Sequence, residues 1–191
     1  MYIAIEGIDT AGKSTQIAAL KSAYPNAIIT KEPGGTAIGA EIRSLVLSAR
    51  AQSKKAEFLL FLADRAEHIQ EVIKPNLDKM IISDRSAVSG VAYALTQGEI
   101  KETAIVHLNR FATDGIYPER VFLLKLTKEE LQYRLSQKEL DGIELRGSEY
   151  LLAIQDAIIK AAKLLEIELI EIDATKSIES ITKEILNNIN S

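Results

Sequence analysis

Apolar positions along this chain of 191 residues recur with two different spacings, and the two alternate from one end to the other. Short, nearly continuous apolar runs predict buried strands, whereas apolar residues three or four positions apart predict helices. The predicted strands cover residues 2–5, 27–30, 80–83, 121–126 and 168–172. Because a helical stretch follows each of them, the sequence predicts an α/β fold in which helices flank a five-stranded parallel sheet.

The helical spacing predicts where the helices lie and how many domains the chain forms. It begins near residue 13 and recurs around residues 38–46, 53–69, 87–96, 100–114, 149–165 and 177–188. Another helix is expected after Thr127, which forms a capping-box pattern with Glu130. No repeat or interdomain linker interrupts this order, so the sequence predicts a single domain over residues 1–191.

One charged segment, residues 136–148, interrupts the helical pattern and contains two glycines. Such a segment is typical of a lid that closes over a nucleotide and excludes water, and equally of a solvated loop. Its charged residues include Lys138, Asp141, Glu144 and Arg146. Both interpretations remain open at this point.

Residues 3–15 join the first strand to the first helix and match the phosphate-loop pattern of a glycine, four residues and Gly-Lys-Ser. Gly7 and Gly12 permit backbone torsions that let main-chain N–H groups surround anionic oxygens. Lys13 can reach the β- and γ-phosphates of ATP, and the Ser14 hydroxyl suits a magnesium ion. The alternative is a chance match in an ordinary strand-to-helix turn. The predicted nucleotide-binding residues are Gly7, Ile8, Asp9, Thr10, Ala11, Gly12, Lys13, Ser14 and Thr15.

The composition of the chain narrows the class of protein. With 47% apolar and 26% charged residues, it is an ordinary globular composition. The net charge of −4 argues against broad nucleic-acid binding, and no apolar run approaches the roughly 20 residues of a membrane-spanning helix. The absence of cysteine excludes disulfides and thiolate metal sites. Because the N-terminus lacks a signal-peptide pattern, we expect a cytoplasmic protein with neither nucleic acid nor a membrane as partner.

Two carboxylates and an arginine stand where a nucleotide site is expected. Asp9 lies inside the phosphate loop, where its charge repels phosphate unless a cation or a hydroxyl donor offsets it. It could hold a metal-bound water or the acceptor substrate, or be a solvated turn residue. Asp84 and Arg85 directly follow the third strand, and open parallel sheets bind ligands at the carboxyl ends of their strands. Asp84 can take magnesium through water and Arg85 can grip phosphate, although a surface ion pair is the alternative.

Basic and aromatic residues on the predicted helices are weaker evidence for a binding site. Arg43 and Arg65 would each ordinarily be solvated side chains. Phe61 precedes Arg65 by four residues, so the two share a helix face and could stack on and hydrogen-bond a base; a core Phe beside a surface Arg is the alternative. His68 and His107 have no metal-ligand spacing, which favours a structural role for both.

Several stretches of the first hundred residues together resemble the bacterial thymidylate kinases. They are residues 6–9 with 12–15, 32–36, 41–43, 60–65 with His68, 84–85, and Ser89 with 92–93. The Glu-Pro-Gly-Gly-Thr stretch at 32–36 together with Phe-x-x-x-Arg at 61–65 is far more specific than the phosphate loop alone. The second half of the chain matches mainly in its pattern of elements.

The resemblance implies a phosphate-loop nucleoside-monophosphate-kinase fold and transfer of the γ-phosphoryl group of ATP to dTMP with Mg2+, usually in a homodimer. Phe61 would stack on thymine, Arg65 would hydrogen-bond its edge, and Tyr93 would lie near the deoxyribose. The implied acceptor-binding residues are Asp9, Glu32, Gly35, Arg43, Phe61, Arg65, Arg85, Ser89 and Tyr93. The implied catalytic residues are Asp9, Lys13, Arg43, Arg85 and Arg146, with Ser14 and Asp84 at the metal.

The chain departs from the family pattern at three places. Position 10 is Thr10 where some members carry arginine, so the lid must supply a cation, and the lid has Gly-Ile at 142–143 where Arg-x is common. Arg146, Lys138 and Arg134 are the candidates for that cation. Ser86 and Ala94 replace a usual tyrosine and glutamine, which leaves room for a different nucleotide or deoxynucleoside acceptor. An ATP-dependent switch, which needs no second phosphate-and-base pocket, is the third hypothesis.

Overall fold

The computed structural model describes residues 1–48, 51–137 and 147–191, and within them it forms one five-stranded sheet. The strand order is β2-β3-β1-β4-β5, and every neighbouring pair is parallel. The predicted α/β architecture with a five-stranded parallel sheet is therefore confirmed. The strands are β1 (Tyr2–Glu6), β2 (Ile28–Lys31), β3 (Ile81–Asp84), β4 (Arg120–Lys125) and β5 (Glu168–Asp173).

Helices connect the strands as the spacing of apolar residues predicts. After the helix Lys54–His68 the chain continues through a wider helical turn, Ile69–Ile73, and a tight one, Lys74–Asn76. No helix in the described part of the chain is long and apolar enough to cross a membrane. The helices are α1 (Lys13–Ala23), α2 (Ala37–Leu47), α3 (Lys54–His68), α4 (Ala87–Gln97), α5 (Glu102–Thr113), α6 (Lys128–Ser136), α7 (Ser148–Leu164) and α8 (Ile178–Ile189).

The core lies on both faces of the central strands. All five residues of β1 are buried, as are Val121, Phe122, Leu123 and Leu124 of β4. Such continuous apolar strands are typical of a parallel sheet covered by helices on both sides. Several helices begin at a side chain that accepts a hydrogen bond from a backbone N–H of the first turn, as the capping-box pattern predicted at Thr127. These capping residues are Thr36, Ser53, Ser86, Thr127 and Ser177.

The strand order determines where a ligand can bind. From β1 the chain goes first to one side, building β2 and β3, and then to the other side, building β4 and β5. Ligands bind open α/β sheets outside the carboxyl ends of the strands at such a reversal. In the register of the sheet, Asp84 at the end of β3 pairs with Ile5 of β1 and with Lys31 of β2. The carboxyl ends of these three strands therefore meet at one place.

Candidate functional site

The phosphate loop connects β1 to α1 at this edge of the sheet. Gly7 and Gly12 have φ of 152° and 97°, and Thr10 has a φ of 68°. A Cβ added to Gly12 would meet no atom within 4 Å, so its backbone torsion rather than crowding requires glycine there. No side chain caps the start of α1 at Gly12. The first N–H groups of this helix are therefore available to an anion.

Lys13 folds back over the loop. Its Nζ donates to the carbonyl oxygens of Gly7 at 3.0 Å and Ile8 at 3.1 Å, and the residue is buried. Burial, and then the positive charge of Arg85, lower the pKa of Lys13 to about 8. A phosphate group beside the ammonium would favour its charged form and oppose this shift.

Asp9 has the offsetting cations that its position requires. Its Oδ1 lies 2.8 Å from Nη2 of Arg85 and 3.8 Å from Nζ of Lys13. Arg85 also donates from Nη1 to the Ser89 hydroxyl at 3.0 Å. Asp9 therefore holds the Arg85 guanidinium across the mouth of the phosphate loop, and Ser89 holds it from helix α4.

Glu6 is a part of this arrangement that reasoning from the sequence did not assign. It is fully buried at the end of β1, where its Oε1 accepts from the backbone N–H and hydroxyl of Ser86, both at 2.8 Å, and from Ser89 N–H at 3.3 Å. Its Oε2 accepts from the Ser89 hydroxyl. Burial raises the pKa of Glu6, against the opposing effects of Arg85 and the two serines. The feature of the sequence that could have identified Glu6 is that it is an acidic residue at the end of an otherwise apolar strand.

These contacts fix the turn between β3 and α4. Arg85 occupies that turn with a φ of 68°, a conformation that is uncommon for a residue other than glycine. Glu6 holds the start of α4 just after Arg85, and the Arg85 N–H donates to the Ile5 carbonyl of β1 at 3.0 Å. Both contacts tie the turn to β1. The short distance from β1 to β3 in the sheet makes this bridge possible.

A cavity of about 430 Å3 opens above the loop. It combines four cationic side chains with the carboxylates of Asp9, Glu32 and Asp84. The Asp84 Oδ1 and Thr10 Oγ1 atoms are buried without a hydrogen-bond partner in the described part of the protein. The residues lining the cavity are Asp9, Thr10, Gly12, Lys13, Ser14, Thr15, Lys31, Glu32, Arg43, Asp84 and Arg85.

The composition of this cavity fits a nucleotide phosphate chain with a magnesium ion. Lys13, Arg43 and Arg85 can neutralise phosphates, and the uncapped start of α1 adds N–H donors. Magnesium is typically held by one or two carboxylates, phosphates and water. The unpartnered oxygen of Asp84 and the exposed Ser14 beside Lys13 suit that ligand set. No group of three or more acidic, His or Cys side chains within residues 1–48, 51–137 and 147–191 is arranged as a metal site.

Arg65 lies in a buried network beside the cavity. Its Nε donates to Glu32 Oε2 at 2.9 Å and its Nη1 to Asn109 Oδ1 at 2.7 Å. Glu32 Oε1 contacts Nδ1 of His68 at 2.9 Å, and the other ring nitrogen lies 2.6 Å from the Thr30 hydroxyl. Burial raises the pKa of Glu32, but Arg65 and His68 more than offset it, so the pKa is lowered.

The network rules out one interpretation that the sequence left open and confirms another, while contact of Phe61 and Arg65 with a base stays a prediction. Arg65 is only 2% exposed while Phe61 is half-buried, so the interpretation as a core Phe beside a surface Arg is wrong. The sequence could not show that a carboxylate 33 positions away and an amide 44 positions away would pair with this guanidinium. The structural role expected for His68 is confirmed, because the ring is fully buried and bonded at both nitrogens.

The loop at residues 32–36 is held by close packing. A Cβ on Gly35 would lie 2.7 Å from both His68 Cδ2 and the Lys31 carbonyl oxygen, so only glycine fits. The Gly34 N–H donates to Asp64 at 2.8 Å, and Arg43 donates to the Pro33 carbonyl at 3.0 Å. Asp64 was not assigned from the sequence. Burial raises its pKa to about 6.

The structure brings most of the predicted site residues to this edge of the sheet. Tyr93 lies half-buried on α4, one turn after the buried Ser89. His107 is exposed on α5. Phe61, Arg65, Ser89 and Tyr93 do not line the cavity described above.

The predicted lid at residues 136–148 stays a prediction. Residues 138–146, which include Arg146, Lys138, Asp141 and Glu144, lie outside the described residues. Arg134 is described at the end of α6, where it donates to Glu130 at 2.6 Å, to the Thr10 carbonyl at 3.0 Å and to the Ala174 carbonyl at 2.7 Å. Arg134 thus connects the phosphate loop to the loop after β5.

Known proteins are similar to this chain over nearly its whole length. The model of a protein family described as thymidylate kinase matches residues 5–185. The chain is 78% identical to the thymidylate kinase of Sulfurimonas denitrificans over 190 residues, covering 100% of both chains. It is 55% identical to that of Aliarcobacter butzleri, covering 100% of this chain and 99% of the relative.

A solved structure extends the likeness to three dimensions. The crystal structure of thymidylate kinase from Ehrlichia chaffeensis matches with a TM-score of 0.74 and 28% identity, covering 100% of this chain and 98% of that one. The resemblance noted in the first hundred residues therefore continues to the end of the chain. The chain belongs to the thymidylate kinase family.

Proposed function

We propose that this protein transfers the γ-phosphoryl group of ATP to dTMP, giving dTDP and ADP. The observation that carries the proposal is a single cavity lined both by the phosphate loop and by Arg43 and Arg85. A protein that only binds ATP needs the loop but not the two additional arginines. A kinase needs both, because it must bring two anionic phosphates together.

The donor side would be formed by the phosphate loop. The N–H groups at the start of α1 and the Lys13 ammonium would hold the β- and γ-phosphates of ATP. Ser14 and Asp84 would hold magnesium, which supplies charge neutralisation on the phosphate oxygens when it is bound. Asp84 would act through a metal-bound water, in keeping with the preference of magnesium for retaining water ligands.

The acceptor side would be formed by the arginines and by the network around Glu32. Arg43 and Arg85 would hold the dTMP phosphate, with Asp9 keeping the Arg85 guanidinium in place at 2.8 Å. Arg65 would hydrogen-bond the thymine edge and Phe61 would stack on the ring. Glu32 and Ser89 would hold the guanidinium groups of Arg65 and Arg85, to which they are hydrogen-bonded. Gly35 would line the acceptor pocket, and Tyr93 would lie near the deoxyribose.

This arrangement accounts for catalysis without a covalent intermediate. Phosphoryl transfer requires in-line positioning of donor and acceptor together with neutralisation of charge on the transferred group. Lys13 and Arg85 are held by the protein before substrate binds, through carbonyl oxygens for the former and Asp9 and Ser89 for the latter. Preorganised cations of this kind lower the barrier because they need not reorient during the reaction. The assignment of a further cation to Arg146 stays a prediction.

We propose a homodimer acting in the cytoplasm, where ATP and dTMP are available. Exposed apolar side chains on neighbouring helices support a dimer surface: Phe111 is 82% exposed on α5, one turn from Leu108, and Leu59 is exposed on α3. Phe111→Lys should convert the dimer to a monomer in sedimentation experiments. Tyr133→Lys, at another exposed aromatic residue, is the matched control. A Phe111→Lys protein that stays dimeric would place the interface elsewhere.

The function is tested by measuring ADP release from ATP and magnesium with one acceptor at a time. The acceptors are dTMP, dUMP, UMP, dCMP, AMP, GMP and thymidine. We expect a clear preference for dTMP. Preference for thymidine or another monophosphate would overturn the acceptor assignment but leave a phosphate-loop kinase, and no stimulation by any acceptor would favour the switch hypothesis.

A substitution separates the acceptor side from the donor side. Arg65→Ala should raise the KM for dTMP while leaving the KM for ATP nearly unchanged. In the described part of the chain, the hydrogen bonds of the Arg65 side chain go to Glu32 and Asn109 rather than to the phosphate loop. Arg110→Ala, on the exposed side of α5, is the control for loss of a positive charge. Equal loss of affinity for both substrates would contradict the role of Arg65.

A further inference from the structure

The Arg65 guanidinium is held at two of its nitrogens, from two different parts of the fold. Glu32, just after β2, accepts from Nε at 2.9 Å, and Asn109 on α5 accepts from Nη1 at 2.7 Å. A guanidinium anchored at one nitrogen can still rotate, whereas anchors at two nitrogens fix its plane. Among the described residues, no hydrogen bond is formed by Nη2, so this nitrogen keeps both of its hydrogens for a ligand.

Asn109 can act in only one orientation. It is fully buried, and its Nδ2 donates to the carbonyl of Ile105, one helical turn earlier, at 2.8 Å. That bond directs Oδ1 toward Arg65. With the amide turned over, an NH2 group would face the guanidinium and two donors would oppose each other. Asn109 therefore presents an acceptor to Arg65 from a fixed position.

Helix α4 limits the guanidinium on another side. A Cβ added to Gly90 would lie 2.6 Å from Arg65 Nη2 and 3.1 Å from Nη1. Real Cβ atoms do not come so close, so the guanidinium fits against α4 only because residue 90 is glycine. Tyr93, expected near the acceptor sugar, is three positions further along and shares this face of the helix. Nη2 is thus placed beside the helix that carries an acceptor-side residue.

We propose that Asn109 is a positioning residue for acceptor-base selection, which holds Arg65 against Gly90 so that Nη2 presents its hydrogens to a carbonyl oxygen on the base edge. This inference rests on the proposed role of Arg65 in reading the acceptor base. A guanidinium has donors only, so it favours thymine, which has a carbonyl oxygen at position 4, over cytosine, which has an amino group there. Asn109 itself does not touch the substrate.

The readout is the preference for dTMP over dCMP, measured as the ratio of kcat/KM for the two acceptors with saturating ATP and magnesium. Asn109→Leu removes the acceptor oxygen but keeps a similar side-chain size. We expect the ratio to fall about tenfold, the lower end for losing a hydrogen bond to a charged group, with an unchanged KM for ATP. Asn109→Asp retains an oxygen for Nη1, and we expect its ratio to stay within about threefold of the parent's.

Asn76→Leu is the matched control. Asn76 also donates to the carbonyl four residues earlier, Val72, at 2.9 Å and accepts from a cation, Lys79, at 2.9 Å, but it lies outside the site. Its ratio should equal the parent's. A purely structural role for Asn109 predicts lower activity with both acceptors and an unchanged ratio, and that result would overturn the inference.

Gly90→Ala tests the same geometry from the opposite side. Alanine favours a helix over glycine by about 1 kcal/mol, so the variant should fold, while its Cβ displaces the guanidinium. We expect a lower dTMP to dCMP ratio here as well. If Asn109→Leu does not fold, Asn109→Ala takes its place. A parental ratio in a folded Asn109 variant that lacks the acceptor oxygen, or in Gly90→Ala, overturns the proposal.

Arg65→Leu separates this inference from the function on which it rests. A ratio that collapses in Arg65→Leu but not in folded Asn109→Leu would reject the positioning role of Asn109 and keep Arg65 as the residue that reads the base. An unchanged ratio in Arg65→Leu would reject base reading by Arg65, and the role of Asn109 with it. Neither result bears on whether the enzyme phosphorylates dTMP at all, which the acceptor panel decides.

Discussion

Replacing Glu6 tests how the turn that carries Asp84 and Arg85 is held. The Glu6 carboxylate accepts from two backbone N–H groups at the start of α4, those of Ser86 and Ser89, and from both of their hydroxyls. Glu6→Ala removes all four bonds. In Glu6→Gln, the amide oxygen can take the place of Oε1, which accepts three of the four bonds. The new NH2 group takes the place of Oε2, and the Ser89 hydroxyl can rotate so that it accepts a hydrogen bond from this group.

The expected loss in the free energy of unfolding depends on the buried donors that are left without an acceptor. A buried donor without a partner costs about 1–3 kcal/mol, and the two N–H groups cannot move with the helix in place. Glu6→Ala should therefore lower the free energy of unfolding by about 4 kcal/mol, a large part of the roughly 5–15 kcal/mol that stabilises a domain. Glu6→Gln should cost about 1 kcal/mol, because a single bond is weakened.

Urea denaturation measures the difference. With a slope of about 2 kcal/mol per molar urea, the midpoint should fall by about 2 M in Glu6→Ala and about 0.5 M in Glu6→Gln. Glu171→Ala is the control, since Glu171 is an exposed strand carboxylate paired with Lys125, and such surface pairs contribute about 0–1 kcal/mol. Equal losses in the two Glu6 variants, or a loss below about 1 kcal/mol in Glu6→Ala, would refute this account of the turn.

The pH dependence provides a second measurement on the same residue. Burial raises the pKa of Glu6 above its value in the unfolded chain. A carboxyl group shifted in this direction adds stability when it is protonated, and this contribution is lost as the pH rises through the folded-state pKa. Glu6→Gln should lack that part of the pH dependence of unfolding. A variant whose stability profile keeps the same slope would show that another group titrates there.

Three further predictions concern the donor side. Because the pKa of Lys13 is lowered to about 8, ATP affinity should fall as the pH rises through that value, and calorimetry near pH 8 in buffers of different ionisation enthalpy should show proton uptake on ATP binding; absence of uptake would contradict the shift. Asp84→Asn should raise the magnesium concentration for half-maximal rate with little change in the KM for dTMP, and an unchanged requirement would remove Asp84 from the metal site. Arg134→Ala frees the Thr10 and Ala174 carbonyls, so the KM for ATP should rise about tenfold while the KM for dTMP stays constant; equal changes would contradict a donor-side role.

Local patterns in the sequence predicted the sheet, the helices and the phosphate loop. The strands are short apolar runs, and helix starts such as Thr127 are marked by a capping residue within three positions. The loop at residues 7–14 is equally local, since its glycines and Lys13 act on groups only five or six positions away. Information of this kind can be read directly, because the interacting groups are close in the chain.

The residues that hold the site could not be predicted in the same way. Glu6 reaches Ser86 and Ser89 across 80 and 83 positions, and Arg65 reaches Asn109 across 44. No periodicity links such partners, because the order of strands in the sheet brings them together. This is also why the position of Arg65 on its helix, taken alone, favoured a solvated side chain, whereas the residue is buried.

Glu6 and Glu32 have similar structural roles at β1 and β2, the two strands that flank β3 in the sheet. Each is a buried carboxylate at or just after the carboxyl end of a strand, and each holds an arginine, Glu32 directly and Glu6 through Ser89. Removing charges from water costs several kcal/mol per ion, so a buried ion pair is seldom a source of stability. What the pairs give is orientation, because a guanidinium bonded on several sides cannot turn away from its ligand. Removing one member of such a network is costly because its partner is left buried and unpaired, although the intact network adds little net stability. We therefore expect acceptor selection to depend on the orientation that the network provides.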